Sequence, residues 1–242
     1  EDGSYEEFNL RAVGMLCAKD LPPQLEPINF KHAYKKQFLT QSVKISGLSS
    51  EPFQRILQGI AVIHQHMSRS FKDGTMQDWT PSEFQGHPTI DVASRYFTPT
   101  RDLGILLRVP FDSRVDPKKI LTRLVDDKWV HTPDNVVEYC QVIRNEDGKL
   151  KYVNCDPAVF RIGDIVEADI GFIVIPIASN QVRLSLMLRS LSLLDTTYSD
   201  VSILIMYELI SILTSTECIH PAPSYAGRQT ASPNQTHQSC GR

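Results

Sequence analysis

Two long apolar stretches joined by a short polar turn constrain the fold of this chain more than any other feature. The first, Ile165–Ile177, is a nearly continuous apolar run, and the turn Ala178–Gln181 follows it. After the turn, apolar residues alternate with polar ones, which is the period of a β-strand with one face in water. Two long strands joined by a short turn pair in antiparallel fashion. We therefore predict an antiparallel pair with Leu184, Leu186 and Leu188 turned away from water.

Weaker patterns extend this sheet and add helices. The stretches Val136–Arg144 and Leu150–Cys155 are rich in β-branched and aromatic residues, and Gly148 between them suits a tight hairpin turn. From Glu51 to Ser70 apolar residues recur at spacings of three and four, which predicts an amphipathic helix that packs on the sheet. The pair Asp116–Pro117 has the form of an N-cap and first helical position, so a short helix is expected there.

These patterns predict an α+β fold: an antiparallel β-sheet of about five to seven strands, forming a curled sheet, a barrel or a sandwich, with an N-terminal packing helix and a disordered C-terminal tail. Residues 1–30, which contain three prolines, are expected to be a loop-rich segment. Residues 31–200 are expected to form a single α+β domain with its β core at 101–195. Residues 201–242 are an apolar block followed by a polar, low-complexity tail.

The charge is unevenly distributed along the 242 residues, although the net charge is only −3. Residues 31–72 hold seven bases and one acid, a net charge of +6, whereas residues 1–30 hold two bases and six acids, a net charge of −4. The basic stretch could bind phosphates or could dock on the acidic remainder of the chain. We favour the second interpretation, because the bases do not form one run.

Basic residues in 31–72 and 101–123 nevertheless form a candidate nucleic-acid site. A basic strip near Tyr96 and Phe97 suits the stacking of single-stranded bases. The alternative is that the arginines pair with Asp102, Asp112 and Asp116 close by in sequence. The candidate nucleic-acid contacts are Lys31, Lys35, Lys36, Arg101, Arg108, Arg114, Lys118, Lys119 and Arg123.

No sequence pattern for phosphate cradles, hydrolase nucleophiles or zinc proteases is present, and we predict no cofactor and no metal site. His131 is expected to lie near Cys140 and Cys155, where a Cys–His pair could serve as nucleophile and base, but ordinary buried thiols are favoured. The favoured function is a non-enzymatic binding or interaction module. Nucleic-acid association through the basic residues and an enzyme with an unrecognised site near His131 are the alternatives.

The partner is not specified by the sequence, and a protein partner or nucleic acid fits it. The apolar block Val201–Leu213 is shorter than the roughly 20 residues that span a bilayer, so no membrane association is predicted. No basic segment followed by an apolar stretch stands at the start of the sequence. We therefore expect an intracellular protein, cytoplasmic or nuclear, that is not secreted.

Six separated blocks within residues 96–195 carry a resemblance to known sequences: Tyr96–Asp102, Arg114–Pro117, Leu121–Arg123, Gly163–Glu167, Phe172–Pro176 and Leu188–Asp195. They resemble a large set of uncharacterised proteins of mushroom-forming (basidiomycete) fungi. The resemblance implies no activity, because none is assigned to that set. It stops near Asp200, which suggests the hypothesis that residues 201–242 are translated intron or a shifted frame.

Overall fold

The computed structural model describes residues 8–26, 28, 33–102, 107–144 and 149–196. These residues contain one α-helix and ten β-strands. In chain order the elements are β1 Leu10–Asp20, β2 Thr40–Ser46, α1 Glu51–Ser68, β3 Ser82–Phe84, β4 His87–Arg95, β5 Thr98–Pro99, β6 Trp129–Val130, β7 Glu138–Arg144, β8 Leu150–Asn154, β9 Ile165–Pro176 and β10 Val182–Asp195.

The pairing of β9 with β10 is the longest in the structure, and it confirms the predicted antiparallel pair. It extends from Val182 opposite Pro176 to Asp195 opposite Ile165. The inward side chains of Leu184, Leu186 and Leu188 are buried, as their alternation with polar residues predicts. The register shifts twice along β10, and such bulges increase the local twist of a sheet.

Eight strands form one curled sheet in the order β3-β4-β2-β1-β9-β10-β7-β8. All neighbours in it are antiparallel except β7 and β10, which are parallel. The sheet curls far enough for β4 to contact β10. At the seam the Val182 amide donates to the Thr75 carbonyl at 3.0 Å, and the Gln77 amide donates to the Val182 carbonyl at 2.9 Å. The α+β class and the curled, mostly antiparallel sheet are thus confirmed.

Helix α1 covers one end of the curl with an apolar face formed by Phe53, Leu57 and Ile60. Two glycines leave room for Phe53. A Cβ atom on Gly47 would lie 2.1 Å from the Cβ of Phe53, and one on Gly14 would lie 2.7 Å from the Ser46 carbonyl oxygen. The predicted packing helix is therefore present, and its contact with the sheet requires these glycines.

A smaller unit is built on the two-stranded sheet β5–β6, which has its own apolar cluster. Tyr96, Phe97, Leu121 and Trp129 are the buried members of this cluster. Its side chains come from three separate stretches of the chain. The cluster therefore holds the long loop between β5 and β6 against the end of β4.

The helix expected at Asp116–Pro117 does not form. Asp116 is buried, and its carboxylate accepts the backbone amides of Leu121 at 3.1 Å and Thr122 at 2.7 Å. Lys119 adopts a positive φ of 56°, which an α-helix does not accommodate. Only a 3₁₀ turn at Thr122–Leu124 follows. The sequence identified the capping aspartate, but the element it stabilises is a turn.

The prediction that residues 1–30 are loop-rich, with a β core limited to 101–195, is wrong for β1. This strand of 11 residues pairs with both β2 and β9, so the sheet begins at Leu10. A register shift between Leu16 and Ala18 lets neighbouring Leu16 and Cys17 both be buried. The resulting break in the period of two conceals the strand in the sequence.

The predicted hairpin turn, at 145–148, and the block and tail at 201–242 lie outside the described ranges. No α-helix in the described part of the chain is long and apolar enough to cross a membrane.

The contribution of the β9–β10 pair to stability can be measured with Leu188→Ala. Leu188 is 0 % exposed, so truncation leaves a cavity and should lower the free energy of unfolding by about 2–5 kcal/mol in urea denaturation. Leu107, which is 76 % exposed, provides the matched control. Leu107→Ala should change the free energy of unfolding by about 0.5 kcal/mol or less, and equal losses in the two variants would contradict the burial of Leu188.

Candidate functional site

A cavity of about 410 Å³ opens where the end of β4 and the start of β2 meet the smaller sheet. It lies at the end of β2 opposite to the one at which helix α1 packs, because Gln41 lines it whereas Ser46 adjoins the helix. We call this cavity the His131 pocket. Its walls come from β2, β7, the end of β8 and the loops that follow β4, β5, β6 and β8. Its lining includes Gln41, Tyr96, Phe111, Asp112, Arg114, His131, Asn135, Tyr139 and Cys155.

His131 is buried in one wall and held in a defined tautomer. Its Nδ1 lies 2.9 Å from the backbone carbonyl oxygen of Tyr96. A carbonyl oxygen only accepts, so Nδ1 carries the proton and the other ring nitrogen, Nε2, is an acceptor. Burial lowers the pKa of His131, although the hydrogen bond to Tyr96 opposes this shift. The imidazole is therefore neutral at neutral pH.

Phe111 stacks on this imidazole. The two ring centroids are 3.8 Å apart and the planes are inclined by 21°. Phe97 and Phe111 form a T-shaped contact with their ring centroids 5.8 Å apart, and the ring centroid of Tyr96 lies 6.3 Å from that of Phe111. Phe111 itself is only half-buried. The pocket thus has a wall of flat rings anchored in the apolar cluster of the smaller sheet.

A chain of buried hydrogen bonds forms the floor. The Tyr139 hydroxyl donates to Oε1 of Gln41 at 2.8 Å, and Nε2 of Gln41 donates to the Asn135 carbonyl at 3.0 Å. Oδ1 of Asn135 accepts from the Thr132 amide at 3.0 Å and from the Thr98 hydroxyl at 3.1 Å. These bonds connect β2, β5 and β7, and burial raises the pKa of Tyr139 well above its usual value.

The hydroxyl of Tyr96 stands apart from this chain. Tyr96 is 1 % exposed, and its hydroxyl forms no hydrogen bond of ordinary length within the described residues. Burial raises its pKa, Asp20 adds to the increase, and the Gln24 side chain partly opposes it. Gln24 therefore lies near this hydroxyl, although the two groups form no hydrogen bond of ordinary length.

At the rim, Arg114 and Asp112 form a two-point ion pair. Nε of Arg114 donates to Oδ1 of Asp112 at 3.0 Å and Nη2 donates to Oδ2 at 2.7 Å. These bonds, with the Arg114 amide, lower the pKa of the Asp112 carboxyl. Arg114 lines the pocket, but its charge is largely neutralised by its own neighbour.

The predicted proximity of His131 to the cysteines holds in part. Cys155 lines the same pocket as His131, and its amide donates to the Tyr139 carbonyl at 2.9 Å. Cys140 is paired opposite Asn154, and its thiol donates to Oδ1 of Asn154 at 3.5 Å. Burial raises the pKa of Cys155 to about 11, and nearby Cys140 contributes to this increase.

One of the nine predicted nucleic-acid contacts, Lys36, does not lie at the surface. Lys36 is buried, and its ammonium group donates to the Leu124 carbonyl at 2.5 Å and to the Asp126 carboxylate at 2.6 Å. We call these contacts the Lys36 clasp. Because it is used inside the fold, Lys36 is not available to a phosphate. This is a correction to the prediction, since the sequence does not distinguish a buried lysine from a surface one.

The other predicted contacts lie at the surface or outside the described side chains. Arg101 pairs with Asp102 at 3.5 Å, and Lys118 donates to the Leu25 carbonyl at 3.1 Å. Lys31 lies outside the described residues, and Lys35 lies in the 3₁₀ segment Ala33–Phe38. Among the predicted contacts, Arg108, Lys119 and Arg123 are exposed, and their side chains form neither an ion pair nor a hydrogen bond within the described residues. Phosphate contact by these three stays a prediction.

Sequence reasoning identified His131 and Cys155, and it named Tyr96 and Arg114 in the nucleic-acid hypothesis, but it missed Gln41 and Asn135 as pocket residues. Polar residues such as Gln41 and Asn135 are read as surface residues, because only tertiary contacts reveal that they are buried and bonded. No local spacing connects them, since they are 94 residues apart.

Comparisons with known proteins give little further information. No protein-family model matches the sequence, and no curated protein matches it. Among solved structures, the chain is similar to the crystal structure of gp2.5, a single-stranded DNA binding protein encoded by bacteriophage T7, with a TM-score of 0.43 and 11% identity. The match covers 78% of this chain and 87% of that chain. A similarity at this level assigns neither a family nor a function.

The neutral state of His131 gives a testable pH dependence. Its pKa in the folded chain lies below the ordinary 6.5, so the unfolded chain binds more protons and the stabilisation is complete above pH 6.5. It is lost as the pH falls from that value through the folded pKa. Urea denaturation from about pH 8 to about pH 5 should show a smaller decrease in the free energy of unfolding for His131→Asn than for the unmodified chain.

Asparagine in that variant can still donate to the Tyr96 carbonyl but does not titrate. The control is His66→Asn, at an exposed position on α1, which should keep the full decrease. A His131→Asn curve parallel to that of the unmodified chain would show that His131 does not carry this dependence.

Proposed function

We propose that the chain is a non-enzymatic binding module and that the His131 pocket is its ligand site. The observation that carries this proposal is the cavity of about 410 Å³ itself. Its wall combines the stacked rings of Phe111 and His131 with Nε2 of His131, which can accept a hydrogen bond because Nδ1 carries the proton.

The shape and lining of the pocket support the same conclusion. Ligand sites are concave, have apolar walls and carry a few fixed polar groups. Here Phe111 and the His131 ring provide the apolar wall, while Nε2 of His131 and the side chains of Asp112 and Arg114 provide polar groups. The buried chain through Gln41 fixes the floor, so the polar groups have defined positions.

The chemistry of the lining favours binding over nucleophilic catalysis. A catalytic cysteine is activated by a lowered pKa, whereas burial raises the pKa of Cys155 to about 11. The Nδ1 of His131 donates to a backbone carbonyl and not to a carboxylate that would stabilise an imidazolium. Both groups are therefore neutral at neutral pH, which suits hydrogen bonding and packing.

A substitution at the rim tests this proposal. Val136 lines the pocket and is 41 % exposed, so Val136→Trp should obstruct the mouth at little cost in stability. Fragments that bind the unmodified protein in NMR experiments should bind Val136→Trp at least about tenfold more weakly, which corresponds to about 1.4 kcal/mol. Val159, which is 38 % exposed and lies outside the lining, gives the control Val159→Trp, which should bind normally. Absence of any binding fragment, or equal binding by both variants, would contradict a ligand site here.

Nucleic-acid association is the second candidate function, and the position of three exposed basic residues favours it. Arg108, Lys119 and Arg123 are exposed, and all belong to the loop between β5 and β6 that also supplies Phe111 to the pocket. An incoming phosphate backbone would therefore meet positive charge beside the flat-ring wall. Such binding is driven by release of counterions and weakens steeply with salt.

A salt titration separates this candidate from the first. The logarithm of the binding constant for single-stranded DNA and RNA should fall linearly with the logarithm of the salt concentration. Changing Arg108, Lys119 and Arg123 to Gln should reduce the magnitude of this slope by about 2–3. The control variant changes Arg69, Lys72 and Lys151 to Gln, which alters the net charge equally at exposed positions outside this loop. Undetectable binding at low salt, or equal slopes in both variants, would exclude nucleic-acid association through this loop.

A further inference from the structure

Resting on the proposal that the His131 pocket is a ligand site, we infer that its ligand is a purine or pyrimidine base whose edge carries an N–H donor. The base of a free nucleoside and an unpaired base in a nucleic-acid strand share this chemistry. Three properties of the pocket lead to it: a flat aromatic wall, an excess of acceptors and a limited volume.

The flat wall selects a planar ring. Phe111 and His131 stack face to face, and both line the pocket. His131 is buried, so the half-buried ring of Phe111 is the one that can offer a free face to a planar ligand. Phe97 and Tyr96 hold Phe111 in place from the apolar cluster below. Aromatic faces stack on the π-face of any nucleobase, without selecting its sequence.

The polar groups select a donor edge on that ring. The one ring proton of neutral His131 is on Nδ1, which donates it to the Tyr96 carbonyl, so Nε2 carries no proton and accepts. The carboxylates of Asp112 and Glu138 also line the pocket and only accept. Exocyclic amines and ring N–H groups of bases are donors of the required kind.

The balance of charge keeps a phosphate out of the pocket itself. The charged lining side chains are two carboxylates, Asp112 and Glu138, and one guanidinium, Arg114, which already binds Asp112. An anion inside would face a net negative lining, whereas a neutral base would not. Arg108 is exposed just before Val109, whose amide donates to the His131 carbonyl at 3.0 Å, so positive charge is available close to the pocket wall.

The volume limits the ligand to about one ring system with its sugar. Ligand pockets are usually about 300–1,000 Å³, and this one is near the lower end at about 410 Å³. It therefore suits a single nucleoside unit, and any further nucleotides of a strand would lie outside, along the basic loop.

Calorimetric titration of the unmodified protein with adenosine and with N6,N6-dimethyladenosine tests the donor edge. The two probes have the same ring, but the second lacks the exocyclic donor. Adenosine should bind at least about tenfold more tightly. Equal affinities would overturn the inference of a donor edge.

The flat wall is tested with Phe111→Leu, at a half-buried position, which should weaken adenosine binding at least about tenfold. The control is Leu107→Ala, at an exposed position of the same loop, and this variant should bind adenosine normally. If Phe111→Leu does not fold, as judged by urea denaturation, the comparison of the two adenosines in the unmodified protein still decides the inference.

Two further arms distinguish the source of the base. A short single-stranded oligonucleotide that binds more tightly than adenosine, and loses that excess in Arg108→Gln, would identify a strand as the source, whereas equal binding would identify the free nucleoside. If fragments bind in a manner sensitive to Val136→Trp but no nucleoside or strand does, this inference fails and the ligand site stands. If nothing binds the pocket, both fail.

Discussion

The antiparallel hydrogen bonding of β9 with β10 is the constraint on which the remaining structure depends. β9 carries β1 on its other edge, and β10 carries β7, so both halves of the large sheet are built outward from this pair. The contact between β4 and β10 then closes the curl and excludes water from the leucines of β10. Because β7 enters the sheet parallel to β10, its first residues are brought beside the smaller sheet, and Tyr139 thereby reaches the pocket floor.

The pocket results from satisfying polar groups where two sheets meet. Gln41 and Asn135 would be costly to bury separately, but each is bonded to the other or to a neighbouring strand. This arrangement leaves a cavity that apolar packing does not fill.

The parts of the fold that follow a strict local period could be predicted, and those that depend on contacts between distant residues could not. β10 and α1 bury one face each, so their periods of two and of three to four are visible in the sequence. β1 is concealed by its bulge, and Lys36 and Asn135 are concealed because a buried polar residue looks like an exposed one. Of the candidate site, His131 and Cys155 were found as reactive residue types, while the aromatic and amide residues that shape the pocket required the tertiary structure.

The Lys36 clasp also affects how a ligand would bind in the pocket. It ties the segment before β2 to the loop between β5 and β6, and both β2 and that loop supply residues to the lining of the cavity. A ligand in this cavity would therefore meet a preorganised binding geometry, and little conformational entropy would remain to be lost on association. The pocket would then discriminate between ligands through their complementarity to a rigid shape. A substitution that loosens the Lys36 clasp would let a wider range of ligands bind before it lowered the affinity for any one of them.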